Sequence, residues 1–183
     1  VSLTLSGNRL DFFKYNDKYG LPQYYDQNGK SSKRTIMKTP INGARISSRY
    51  GNRKHPILGY TKMHRGLDFA APTGTPVFAA GDGVIEKAGW NGSYGRYIRI
   101  RHTSTYKTAY AHLSGIKKNI RVGKRVLQGK TIGYVGSSGR STGPHLHYEV
   151  LKNNRQVNPM KIKLPAGKNI PAKYIAVYKT YIK

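Results

Sequence analysis

The chain has 183 residues, no cysteine, and 33 lysines and arginines against seven aspartates and glutamates, for a net charge of +26. A hydrophobic content of 37% is enough to bury a core and excludes a disordered polyelectrolyte, and the lack of cysteine excludes disulfides and thiolate metal sites. No run of about twenty apolar residues offers a transmembrane helix, and so basic a surface seeks polyanions, either nucleic acid or the carboxylates and phosphates of a cell envelope.

The sequence opens at Val1 with neither an initiator methionine nor a signal peptide, and reads as a mature or trimmed piece of a longer protein. Residues 1–38 read as a lead-in β segment, the remnant of an upstream domain. Asn28-Gly29 is a hairpin-type turn after Gln23-Tyr24-Tyr25-Asp26. Thr39-Pro40 marks a boundary, and residues 39–164 keep one texture of short strands between glycine-rich turns. Thr75–Ala80 and Val84–Ala88 are predicted strands around the turn Gly81-Asp82-Gly83. Tyr97–His102 alternates strictly, with isoleucines on one face and arginines on the other. Lys107–Leu113, Thr131–Val135 and the stretch His145–Val150 complete the set. From Lys152 onward there are eight lysines and arginines and no acid, and residues 165–183 read as a basic extension. Within it, Tyr174–Tyr178 alternates like a short strand. No amphipathic helix longer than two turns is evident, so the expected fold is all-β and mainly antiparallel, with few or short helices.

Four of the six histidines and one aspartate form candidate chemistry. His145 and His147 lie two apart on a strand, so they share a face at a spacing of roughly 7 Å. His64 and Asp68 flank a glycine-interrupted stretch, and His112 ends a strand. Zinc accepts imidazole nitrogen and carboxylate oxygen, and catalytic sites use three protein ligands and an open position. His64, Asp68 and one histidine of the His145/His147 pair can supply those three. Asp68 stands out because only Asp68, Asp82, Glu86 and Glu149 follow residue 30 as acids. Glu149 shares the histidines' strand face. It either orients a ligand imidazole or balances nearby arginines.

The ordered set Ser48-Arg49-Tyr50-Gly51, Arg53–Gly59, His64-Arg65-Gly66-Leu67-Asp68-Phe69, Ala71–Val77, Tyr110-Ala111-His112-Leu113, Gly133–Gly136 and Thr142–His147 resembles the lysostaphin/LytM-type zinc endopeptidases of peptidoglycan. The likeness runs over roughly residues 40–160, and the segment from Tyr24 to Pro40 is similar to the lead-in of the Gram-negative, multidomain branch. The resemblance implies an antiparallel sheet crossed by a groove. It implies His64, Asp68 and His147 as ligands of Zn2+, and His112 and His145 as the histidines that handle the attacking water and the oxyanion. His55 then falls in a loop near the cleft and His102 at a strand end. Arg96 and Thr103-Ser104-Thr105 depart from the family's usual asparagine and glycine turn, away from the ligands. The implied function is hydrolysis of peptidoglycan cross-links at the D-Ala–diaminopimelate bond, in the periplasm or cell envelope of a secreted protein. The alternative is a non-catalytic LytM-type domain that binds peptidoglycan or activates an amidase. Nucleic acid is not an expected partner, because the basic residues are scattered without a recognition motif. The arginines of Tyr97–Arg101 are candidates for holding stem-peptide carboxylates in the groove.

Overall fold

A computed structural model describes residues 1–183 except 6–7, 17–21, 33–34, 55–60, 165–166 and 168. His55 therefore lies outside the described residues. Residues 36–163 form one compact unit, and residues 1–35 with 164–183 form a second.

In the second unit, β1 (Ser2–Leu5) pairs with β2 (Asn8–Asp11), and β3 (Phe13–Asn16) pairs with β4 (Pro22–Tyr25), both antiparallel. The predicted turn forms: Gly29 N–H donates to the Asp26 carbonyl at 2.8 Å, with Gly29 at φ 74°. A side chain at Gly29 would also strike Ile170 and Ile175. The strand expected at Tyr174–Tyr178 is instead the end of a 3-10 turn (Ala172–Tyr174) and a helix, α1 (Ile175–Tyr181). The reason is packing. Tyr178 is fully buried, its ring 5.2 Å from Tyr15 and 6.0 Å from Tyr25, and its hydroxyl lies 2.9 Å from the Asp26 carbonyl. Tyr181, three residues on, meets Tyr15 at 5.3 Å, a helical spacing.

Among its described residues the larger unit holds twelve strands: β5 (Arg45–Ser48), β6 (Gly51–Lys54), β7 (Thr61–His64), β8 (Leu67–Ala70), β9 (Pro76–Phe78), β10 (Gly83–Trp90), β11 (Arg96–Arg101), β12 (Tyr106–Ile116), β13 (Arg125–Val126), β14 (Thr131–Val135), β15 (His145–Lys152) and β16 (Arg155–Val157). Ten of them form one sheet, ordered β13-β10-β11-β12-β15-β8-β5, with β14, β9 and β16 branching from it. All its pairings are antiparallel, as expected for an all-β sheet. The hairpin β6–β7 stands apart and delivers His64.

Register sorts the side chains of this sheet onto two faces. Ile98 faces Tyr110, Tyr110 faces Tyr148, and Tyr148 faces Leu67; one step along, Leu146 faces Phe69. These residues and Ile100 are fully or almost fully buried and form the apolar face. Burying each large apolar side chain contributes about 1.5–3 kcal/mol. The opposite face carries Asp68, His147, Ala111, Glu149 and Ala109, because His147 faces both Asp68 and Ala111, and Glu149 faces Ala109. The two alanines leave space above the sheet, and Tyr94 and Tyr97 pack beside them.

A polar chain runs through the apolar side. Ala80 N–H donates to the Tyr110 hydroxyl at 2.7 Å, and that hydroxyl lies 2.8 Å from Thr108 Oγ1. Thr108 Oγ1 lies 2.8 Å from His102 Nε2, and His102 Nδ1 lies 2.8 Å from the Asp82 carbonyl. Thr108 and Tyr110 are both fully buried, so these contacts stand in for water that cannot reach them.

Candidate metal centre

His64 ends β7, Arg65-Gly66 turns the chain, and Asp68 lies on β8. The four-residue spacing thus joins two strands rather than one helical face. His64 Nδ1–H donates to the Arg49 carbonyl at 2.8 Å, which turns Nε2 inward. His147, opposite Asp68 in the β8–β15 register, points Nδ1 at the same spot. His64 Nε2 lies 3.1 Å from Asp68 Oδ1 and 3.1 Å from His147 Nδ1, and His147 Nδ1 lies 2.8 Å from Asp68 Oδ1. All three side chains are buried.

These edges fit an ion: two nitrogens and an oxygen held at about 2.0–2.1 Å by a tetrahedral metal lie about 3.3 Å from one another. The electrostatics agree. Burial works against charge on His147, yet hydrogen bonds to Asp68 and Glu149 outweigh it and push the imidazole up to about 9. Burial likewise opposes the Asp68 charge, and His147 and His64 hold its carboxyl well below the usual carboxylate range. The cluster therefore demands positive charge at its centre, and with no thiolate in the chain its imidazole and carboxylate donors suit zinc.

The outer nitrogen of His147 is also engaged. Nε2 donates to Glu149 Oε1 at 3.1 Å, and Glu149 accepts from Tyr94 Oη at 2.8 Å and from Gln156 Nε2 at 3.3 Å. Of the two sequence readings of Glu149, the structure selects the one that orients an imidazole; among the described residues no arginine pairs with it. Gly66 completes this setting. A Cβ there would lie 2.7 Å from His147 Cε1 and 2.6 Å from the Tyr148 carbonyl oxygen, so only glycine lets the ring sit where it does.

His112 and His145 stand beside the cluster, with ring centroids 4.8 Å apart. His145 Nδ1–H donates to the Gly143 carbonyl at 2.8 Å, and its Nε2 lies 3.9 Å from Asp68 Oδ1. His112 Nδ1–H donates to the Ser138 carbonyl at 2.8 Å. In both rings the hydrogen is committed to a carbonyl, leaving Nε2 with a lone pair. His112 has φ 59°, the left-handed region, at the β11–β12 register shift and where β12 leaves β15 for β14. Holding a non-glycine residue there costs about 1–3 kcal/mol. Burial pushes its imidazole down to about 4, helped by His145 and His147 against the Ser138 hydrogen bond.

All five sequence-derived site residues line one groove of about 660 Å3, together with Glu149, Tyr94, Arg65, Arg140 and others. Sequence reasoning missed Tyr94 and Gln156 as partners of Glu149, and Ser138 as the anchor of His112, since each acts through an atom that no motif specifies. The arginines of β11 do not line the groove. Arg99 and Arg101, with Lys107, instead surround Glu86 at 3.0, 3.4 and 3.0 Å. The spacing along the strand carried no sign of that partner on β10.

Fold and cluster together define a class: antiparallel β-sheet proteins that set two histidines and a carboxylate in an open groove. The profile of Peptidase family M23 matches residues 62–159, and the chain belongs to that family. Peptidoglycan DD-endopeptidase ShyC of Vibrio cholerae is 47% identical over 151 residues, which are 82% of this chain and 34% of that protein. A zinc containing peptidase from Vibrio cholerae superposes with a TM-score of 0.67 at 38% identity, covering 90% of this chain and 50% of that one. The catalytic domain of lysostaphin from Staphylococcus simulans gives 0.59 at 36% identity, covering 65% of this chain and 91% of that one. The chain spans about a third of the length of the curated relatives that it matches.

Proposed function

We propose that this chain carries the catalytic domain of a zinc-dependent endopeptidase that hydrolyses peptide cross-links of bacterial peptidoglycan at the D-Ala–diaminopimelate bond. His64, Asp68 and His147 are the proposed ligands, His112 and His145 the proposed catalytic histidines, and residues 39–164 the proposed peptidase domain. The observation that carries this reading is the triangle of His64 Nε2, Asp68 Oδ1 and His147 Nδ1, with edges of 2.8–3.1 Å, beside two imidazoles whose Nδ1 hydrogens are already spent. The DD-endopeptidase relatives support the bond, and the zinc containing neighbour supports the ion. Peptidoglycan as substrate supports a location in the cell envelope; no helix among the described residues is long and apolar enough to cross a membrane.

Zinc bound there lowers the pKa of a water towards about 7 and polarises the scissile carbonyl. The remaining work falls to the chain. The two Nε2 atoms divide two tasks: one, through its lone pair, accepts the proton of the attacking water, and the other donates to the carbonyl oxygen as negative charge develops on it, which requires that ring to carry a second proton as an imidazolium. The proton taken from the water is then returned to the leaving amine. The Ser138 and Gly143 carbonyls hold both rings by Nδ1–H, so that Nε2 is the nitrogen left for each task. Glu149 holds the His147 ring through its outer nitrogen.

The test is digestion of purified sacculi of known cross-link chemistry, with the released muropeptides read by mass spectrometry. Cross-linked dimers should become monomers. His112→Ala and His145→Ala should keep stoichiometric zinc and lose about 10²–10⁴-fold in rate. A zinc-loaded protein that leaves every dimer intact would instead be a binding or amidase-activating domain.

A further inference from the structure

We propose that Arg65 and Arg140 form a carboxylate-recognition site in the groove, which takes the carboxylate on the carbon bearing the leaving nitrogen of the scissile bond. This rests on the endopeptidase reading above and supplies its specificity.

The argument begins with which charges in the groove are already used. Its acids are Asp68 and Glu149. Asp68 is engaged by His64 and His147, and Glu149 by His147, Tyr94 and Gln156. Its cations are Arg65 and Arg140, both exposed. Among the described residues neither guanidinium is in an ion pair. The other obvious cations, Arg99, Arg101 and Lys107, are gathered on Glu86 and do not line the groove.

Both arginines are carried by backbone that the site itself holds in place. Arg65 lies between His64 and Gly66, and the His147 ring closes against Gly66. Arg140 N–H donates to the Ser93 carbonyl at 2.9 Å. The preceding Gly139 has φ 73°, and a Cβ on it would fall 2.6 Å from that same oxygen. Two residues earlier, Ser138 accepts from Arg96 N–H, donates to the Leu113 carbonyl and holds His112 through its own carbonyl. One tight loop therefore sets both a catalytic imidazole and a cation. Ser93 and Tyr94 belong to the same 3-10 turn, Gly92–Tyr94, so the loop carrying Arg140 is tied to a wall of the groove that both arginines line.

The chemistry of the bond supplies the ligand. In a D-Ala–diaminopimelate link, the carbon that carries the leaving nitrogen also carries a free carboxylate; a bond within a glycine bridge has none there. A guanidinium is a planar fork of donors matched to a carboxylate. Two of them beside the histidines would draw that end of the substrate in and place its amide over the cluster.

The experiment compares a muropeptide dimer with the same dimer carrying a carboxamide at that position, using the full zinc-loaded chain. Wild type should prefer the free carboxylate by about 10- to 100-fold in kcat/KM, the worth of a charge-assisted hydrogen bond. Arg65→Gln and Arg140→Gln should lose that preference mainly through KM, keep their zinc, and cleave the carboxamide dimer at the wild-type rate. Arg140→Lys should recover part of it, and Lys118→Ala, on an exposed turn outside the groove lining, should behave as wild type. Equal cleavage of both dimers by wild type, or equal loss on both by the arginine variants, overturns the carboxylate site alone. Wild-type enzyme that cleaves neither dimer overturns the endopeptidase reading, and the site with it.

Discussion

Two carboxylates in this sheet each gather basic side chains from neighbouring strands, and they have opposite fates. Glu86, on β10, collects Arg99, Arg101 and Lys107, and stands partly open to water. Asp68, on β8, collects His64, His147 and, at 3.9 Å, His145, in a buried setting. The partners of Glu86 are permanently charged, so that cluster is complete as it stands. Those of Asp68 are bases with lone pairs aimed at one point, so that cluster is complete only around a cation. The lesson is that proximity of acid and base does not distinguish an ion-pair network from a metal centre; the protonation chemistry of the partners and their burial do.

This contrast can be broken by substitution. The largest effect is expected at Asp68. Asp68→Ala should retain no stoichiometric zinc by elemental analysis and should digest sacculi at the background rate. Zinc kept at wild-type level would remove Asp68 from the ligand set. A smaller effect is expected at Glu149, which touches the proposed ligand His147 and not the cluster's centre. Glu149→Gln should weaken zinc retention by about 10- to 100-fold in chelator competition, and unchanged retention would reduce Glu149 to a packing residue.

The smallest effect belongs to Glu86. Glu86→Gln should leave zinc content and hydrolysis unchanged and cost no more than about 1 kcal/mol of stability. Its pH dependence has a definite sign. Burial pushes the Glu86 carboxyl up, but Lys107 and Arg99 outweigh it and hold the carboxyl below its ordinary value of 4.5. The native state then binds fewer protons than the unfolded state, so the contribution is complete above pH 4.5 and disappears as pH falls through the lowered value. Urea midpoints of wild type and Glu86→Gln should differ at pH 7 and converge as pH falls through the lowered value. A constant gap would mean that Glu86 acts through packing, not charge.

Much of the sheet could be read from alternation. Ile98 and Ile100 against Arg99 and Arg101 announced one buried and one charged face, and the structure keeps that division. The His145/His147 spacing placed two imidazoles on one face, which the pairing of His147 with Asp68 and Ala111 bears out. The presence of these strands, though not most of their ends, and the meeting of the five candidate residues in one groove were legible because short-range pattern and motif order encode them. What escaped notice depends on distant partners. Tyr174–Tyr178 alternates, but five residues fit a helical repeat equally well, and the burial of Tyr178 against Tyr15 and Tyr25 decides the matter. Arg99 and Arg101 were open to a groove role until Glu86, thirteen residues before Arg99, claimed them. Glu149 stayed between two roles because its neighbours Tyr94 and Gln156 come from other parts of the chain.

The polar chain under the sheet has a direction, and its two ends fix it. The Ala80 amide can only donate, and the Asp82 carbonyl can only accept. The Tyr110 hydroxyl must therefore pass its hydrogen to Thr108, Thr108 must pass its own to His102 Nε2, and His102 must carry its hydrogen on Nδ1. A proton added at Nε2 would leave two donors facing each other in a place without water, which agrees with burial pulling the His102 imidazole down. The core thus assigns this ring one tautomer from two backbone atoms relayed through two buried hydroxyls, and a histidine at a strand end becomes a polarity marker for the strands around it.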